Sequence, residues 1–492
     1  MKKYILTIFL FALIFSSCSD LTELNVNPNN VPETHPQLLL TNIEWNAFQV
    51  EGVDPMYASR MVVQTDGENE NQYYKWSRAG FENYDQLRNV TKMIEEAERI
   101  ESPAYIALGK FFRAYYFFGL TLTFGDIPYS DALKGETEEV YTPKYDSQKE
   151  VFKGILNELT EADELLASDN SIIAGDVIYN GSTSQWRKAV NSFRLKVLMM
   201  LSKKTTDTDL NVIATFAGIY NNSPLIESNA DNGQLMFIDE LGSRYTEYNS
   251  SSYGSARYVD STFIQRLQDR KDPRLFVFCG QTRVAKENGL AINDFAAYEG
   301  GDPIAPYNEV NLKAAAGKVS KVNLRYTNDP TTEPHLFMSY SELQLILAEA
   351  SVRGWINSSA KEHYENAVKA SFEFYSTYAA EYAGFVSNAA AEAYLAEPLV
   401  DFSKVAGNEA KLELIMMQKY IPSFLQGGWR MYFDQLRTGY PVFRTQEGVT
   451  PPVRWMYPTG EYQNNSANVT AAITSQYGES NDNIRATPWW LQ

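Results

Sequence analysis

The chain has 492 residues, 43 of them basic and 61 acidic, for a formal net charge of -18 at pH 7. Such an acidic surface repels phosphate backbones and anionic lipid, which excludes nucleic acid as a partner and leaves neutral ligands unaffected. The length suits two or three average domains or one large helical one, and the 32 tyrosines serve binding surfaces and helical-repeat cores alike.

The first element is a leader. Lys2 and Lys3 precede the apolar run "YILTIFLFALIF" (4–15), which is long enough for a signal-peptide core and too short to span a bilayer. The run ends in "IFSSC", and Ser16, Ser17 and Cys18 resemble the lipobox of bacterial lipoproteins. That resemblance implies a signal peptide over 1–17 and a mature chain of 18–492 whose first residue, Cys18, is acylated. Each buried methylene of an acyl chain contributes about 0.8 kcal/mol, and two or more chains make a durable anchor. Asp20 and Glu23, just after Cys18, resemble the surface-export signals of such bacteria. Membrane contact is expected through the lipid anchor only, because no later segment reaches the roughly 18–20 apolar residues of a spanning helix. Cys279, the second cysteine, sits in the apolar "LFVFCGQ" and reads as a buried small residue.

Helical periodicity then recurs in pairs. "YDQLRNVTKMIEEAERI" (84–100) precedes Leu108, Phe111, Phe112, Tyr115, Phe118 and Leu122 at helical spacing. Phe152, Ile155, Leu156 and Leu159 pair with the stripe from Trp186 to Leu201. "YSELQLILAEASVRGW" (340–355) pairs with "SAKEHYENAVKASFEFY" (359–375), and 408–426 with 429–437. The pattern predicts a mostly α fold with four tetratricopeptide-like helix pairs, in repeats about 81–205 and 336–440. Residues 206–335, rich in Asn, Ser, Gly, Asp and Tyr, read as a loop-rich insertion with few short strands, and the tail from 438 reads as irregular.

Motifs for chemistry are sparse. His35, His335 and His363 are not in helical reach of one another, and no G-x-S-x-G, P-loop or G-x-G-x-x-G occurs. "NADNGQLMFIDE" (229–240) and "DGENE" (66–70) match a calcium loop only loosely, so no metal and no cofactor is expected. The strongest signal is "DGENENQYYKWSRAGFENYD" (66–85), which mixes amides, carboxylates, tyrosines and a tryptophan. Sugars offer C–H faces to aromatic planes and hydroxyls to amides and carboxylates. Asp66, Asn69, Asn71, Gln72, Tyr73, Tyr74 and Trp76 are therefore candidate ligand contacts, as are Tyr245, Tyr248, Tyr253, Arg257 and Tyr258 in the insertion. The same aromatics could instead dip into the core.

Several motifs in order resemble the SusD/RagB family, surface lipoproteins of Bacteroidetes nutrient-uptake systems. They are "LNVNPNNVPETHPQLLL" (24–40), "TFGDIPYSDAL" (123–133), "LILAEASVRG" (345–354), "GGWRMYFDQLRTGYPVF" (427–443) and "VRWMYPTGEYQNNSAN" (453–468). The resemblance implies a SusD-like fold with its helix pairs packed against an irregular half. It also implies glycan capture at the outer membrane, facing the cell exterior, and delivery to a SusC-like TonB-dependent barrel, without catalysis. A peptide-binding lipoprotein of the same transporter type, a surface glycoside hydrolase and a repeat scaffold for partner proteins are the alternatives.

Overall fold

The computed structural model describes residues 33–492, so the signal peptide and Cys18 lie outside the described residues. Helix α1, Pro36–Phe48, opens the described chain and was not anticipated. All four expected helix pairs are present. They are α2 (Asn83–Arg99) with α3 (Pro103–Phe124), and α4 (Gln148–Ser168) with α5 (Thr183–Met200). After α6 (Val212–Asn222), α7 (Ser261–Asp269) and α8 (Tyr307–Ala315) come the later pairs. These are α9 (Tyr340–Val352) with α10 (Ala360–Tyr378) and, past α11 (Asn388–Leu395), α12 (Asn408–Tyr420) with α13 (Arg430–Thr438).

The pairs start where side chains can satisfy the first free amides. Ser147, Ser339 and Ser359 each accept a hydrogen bond from the amide three residues on, belonging to Glu150, Glu342 and Glu362. Each Ser-x-x-Glu has the sequence of a capping box. Helix α3 packs against both α2 and α4, α9 against α10 and α12, and α5 meets α9 to join the halves. One continuous apolar core runs from Leu40 to Leu491. Helix α3 is apolar nearly all round because it is covered on most sides, with Phe111, Phe112 and Phe117 fully buried.

Two short antiparallel ribbons serve the irregular half. Strand β1 (Val62–Gln64) pairs with β3 (Arg257–Val259), and β2 (Gly233–Leu235) pairs with β4 (His335–Met338), which leads into α9. The insertion holds more helix than its composition implies, since α6, α7 and α8 all fall inside it. The tail also differs from expectation, for α14 spans Ser466–Tyr477. Its Ser, Thr and Asn content disfavours a lone helix, and burial of Val469, Ala472 and Ile473 supplies the missing stability.

The turn after α3 shows why "GDIPY" is structural. Gly125 has φ +97°, and a Cβ there would meet Gln476 Oε1 at 2.3 Å. Asp126 Oδ1 accepts from the Gln148 amide (2.7 Å), and Tyr129 donates to Glu158 (3.0 Å). The turn thus fastens α3 to α4 and the tail. Cys279 is fully buried, and burial pushes its thiol well above the usual range, as expected of an inert core residue.

Candidate functional site

The two segments singled out in the sequence meet in space. Pairing of β1 with β3 sets Gln64 opposite Arg257, and the Thr65 amide continues the ribbon by donating to Ala256 O (2.8 Å). Residues 66–76 follow β1, while 245–256 lead into β3. A third segment, 302–308, joins them. Gln72 Nε2 donates to Pro303 O (3.1 Å), and the Tyr73 hydroxyl donates to Ala305 O (2.8 Å).

This three-loop surface has its own small core. Val63 and Tyr258 from the ribbon pack with Val310, Ala314 and Val319. Gly301 closes against β3, its amide bonding Val259 O (2.9 Å) and its carbonyl accepting from Ser261 (2.8 Å). There is no room there for a side chain, because a Cβ would lie 2.5 Å from Val310 Cγ1 and 2.7 Å from Val63 Cγ2.

The twelve expected contact residues divide by exposure. Asp66 is exposed, and Asn69, Asn71, Tyr248 and Arg257 are half-buried. Gln72 is fully buried, its Oε1 accepting from the Gln64 amide (2.7 Å), so it splices the loops. Tyr74 donates to Ala58 O (2.8 Å) beneath the Arg60 guanidinium, 4.1 Å from its ring. Tyr73 and Tyr258 are buried and spend their hydroxyls on Ala305 and Gly254. Tyr253 is buried under the Arg257 guanidinium, and Tyr245 packs away from the loops on Phe237 and Tyr326.

Trp76 is 3% exposed. It stacks on Trp455 (5.1 Å, 19°) and meets Trp429 and Tyr432 edge to face. The structure therefore corrects the expectation for Gln72, Tyr73, Tyr74, Trp76, Tyr245, Tyr253 and Tyr258. All seven are buried, and Gln72, Tyr73 and Tyr258 spend their polar groups on loop carbonyls or amides.

Tyr307, missed in the sequence, offers the exposed ring instead. It is 37% exposed and lies two residues past the Tyr73 anchor at Ala305. Its place in "APYNEVN", a polar run opening α8, was the available signal. Asp66, Glu68, Asn69, Asn71 and Lys75 complete the polar rim. Glu247, 3.8 Å from Arg257, is buried, and that burial raises its carboxyl above the usual value against the pull of Arg257. The arrangement can accept and donate hydrogen bonds to hydroxyls and stack one apolar face. Among the described residues no group of three His, Cys, Asp or Glu side chains is placed to hold a metal.

Comparison with known proteins agrees with this scaffold. The model of SusD-like proteins, described as starch-binding and associating with the outer membrane, matches residues 28–458. The chain belongs to the SusD-like family. A SusD homologue from Bacteroides fragilis is 54% identical, with TM-score 0.90 over 94% of this chain and all of that one. An outer-membrane protein from Bacteroides vulgatus, described in terms of nutrient binding, is 50% identical, with TM-score 0.90 over 93% of this chain and all of that one. A chitin-binding protein shares 25% identity at TM-score 0.74, again over 93% of this chain and all of the other. No curated protein matches the chain. The family is associated with the outer membrane, and no helix among the described residues of this SusD-like chain is long and apolar enough to cross a membrane.

Proposed function

We propose that this SusD-like protein binds oligosaccharide outside the cell and passes it to a SusC-like TonB-dependent barrel, without cleaving it. The observation that carries the reading is the convergence of the 66–76, 245–258 and 302–308 loops around Tyr307, Asn69, Asn71 and Asp66. The family's starch-binding description and the chitin-binding relative support a glycan as the ligand. A shallow surface with one exposed ring gives modest affinity, and an acyl tether at Cys18 raises the effective concentration beside the barrel.

Affinity electrophoresis through gels holding soluble starch or glycol chitin tests this directly. Retardation with the polysaccharide recovered intact is the expected result. Released oligosaccharide would instead establish a hydrolase, and retardation by neither polymer but binding of oligopeptides would move the ligand class to peptide.

A further inference from the structure

A cavity of about 90 Å³ lies between α9, α10 and the α12–α13 turn. It is roomy enough for several waters. Leu345, Phe374, Tyr375 and Met431 make its walls apolar. Glu342, Lys419, Arg430 and Asp434 reach it with charge.

Three of those four groups are already matched. Lys196 lies 2.6 Å from Glu342, and Asp434 takes both Lys419 (2.5 Å) and Arg437 (2.7 Å). Arg430 is different. Its Nε and Nη1 donate to the carbonyls of Gly427 (3.3 Å) and Phe337 (3.1 Å), while Nη2 is buried with no partner. No carboxylate among the described residues comes within 4 Å of it. A buried guanidinium N–H left unbonded costs about 1–3 kcal/mol, more for a charged group.

The surrounding field points the same way. Burial pushes the Lys196 amine down to about 8, and the Arg430 and Lys419 charges add to that shift against Glu342. Burial would raise the Glu342 carboxyl, yet Lys196, Arg430 and Lys419 together hold it below the usual range. Two carboxylates, Glu51 and Glu342, act on Arg430 only from beyond ion-pair distance.

We propose that this cavity is a second binding site, taking a small molecule with a compact apolar body and a single carboxylate that bonds the free Nη2 of Arg430. A single carboxylate suffices for the one guanidinium nitrogen left unbonded. A dianion such as phosphate would meet Glu342 with charge left over, and a sugar would turn hydroxyls to apolar walls. The site does not depend on the glycan reading.

The test uses the full chain and isothermal titration with 4-methylpentanoate and phenylacetate, with 4-methylpentan-1-ol as the uncharged comparator. The carboxylates are expected to bind at least tenfold more tightly than the alcohol. Arg430→Gln should weaken them at least tenfold by removing the charge, and Ala370→Leu should do so by filling the cavity from α10, where Ala370 lines it. Asn71→Ala, on the other surface, should leave carboxylate binding unchanged. Should Arg430→Gln fail to fold, Ala370→Leu decides alone. Absence of carboxylate binding by the unaltered chain, equal binding of the alcohol, or binding that survives the cavity-filling variant would overturn the proposal.

Discussion

Trp76 carries weight in the fold that its sequence context hides. Its ring is covered by Trp455, Trp429 and Tyr432, so Trp76→Ala should destabilise the chain by about 3–5 kcal/mol. Thermal denaturation checks this, and an unchanged melting temperature would contradict the packing. Asp126 gives a pH signature. Burial pushes its carboxyl up to about 7, offset by the Gln148 amide and reinforced by Asp146. The folded value lies above the unfolded one, so this contribution to stability is present below about pH 4 and lost as pH rises through about 7. Asp126→Asn should flatten that part of the stability profile between about pH 4 and 7, and a profile with the same slope would show that Asp126 does not titrate there. At this scale the sequence displayed residue types but not burial. The alternation of amides and tyrosines in "NQYYKW" is the same whether a ring faces sugar or core.

The helix pairs were readable because their signal, apolar spacing, is local and lies within one element. The β1–β3 ribbon was not, because Val62 and Val259 are brought together only by the folding of everything between them. Helix α14 escaped for a related reason, as its own residues favour helix weakly and tertiary burial decides. Gly301 is the element-scale test. Gly301→Ala forces a methyl against Val310 and Val63, an overpacking of about 1–3 kcal/mol centred under the loops. Glycan affinity should fall while the far-ultraviolet circular dichroism of the helices is kept. Affinity equal to that of the unaltered chain would separate the small core from the binding surface.

The whole molecule combines a helical scaffold, a surface built from three sequence-distant loops and, by our reading, a lipid tether. The scaffold was legible in the periodicity and in the SusD-like motifs. The loop surface was legible in part: the two segments named from composition do adjoin, but the exposed ring comes from Tyr307 and the cavity at Arg430 left no sequence trace. Replacing Cys18 by alanine should release the protein from the outer membrane while leaving its glycan affinity in solution unchanged, as membrane fractionation would show. Retention in the membrane fraction would place the tether elsewhere. The central claim is that the three loops bind glycan without chemistry. Its most direct measurement is titration of maltoheptaose and chitohexaose into the unaltered chain and into a Tyr307→Ala, Asn71→Ala double variant. The account predicts saturable binding of at least one sugar, recovered whole, and a loss of at least tenfold in the variant with its melting temperature kept. Binding that the variant retains in full, or sugar that comes back cleaved, would contradict it.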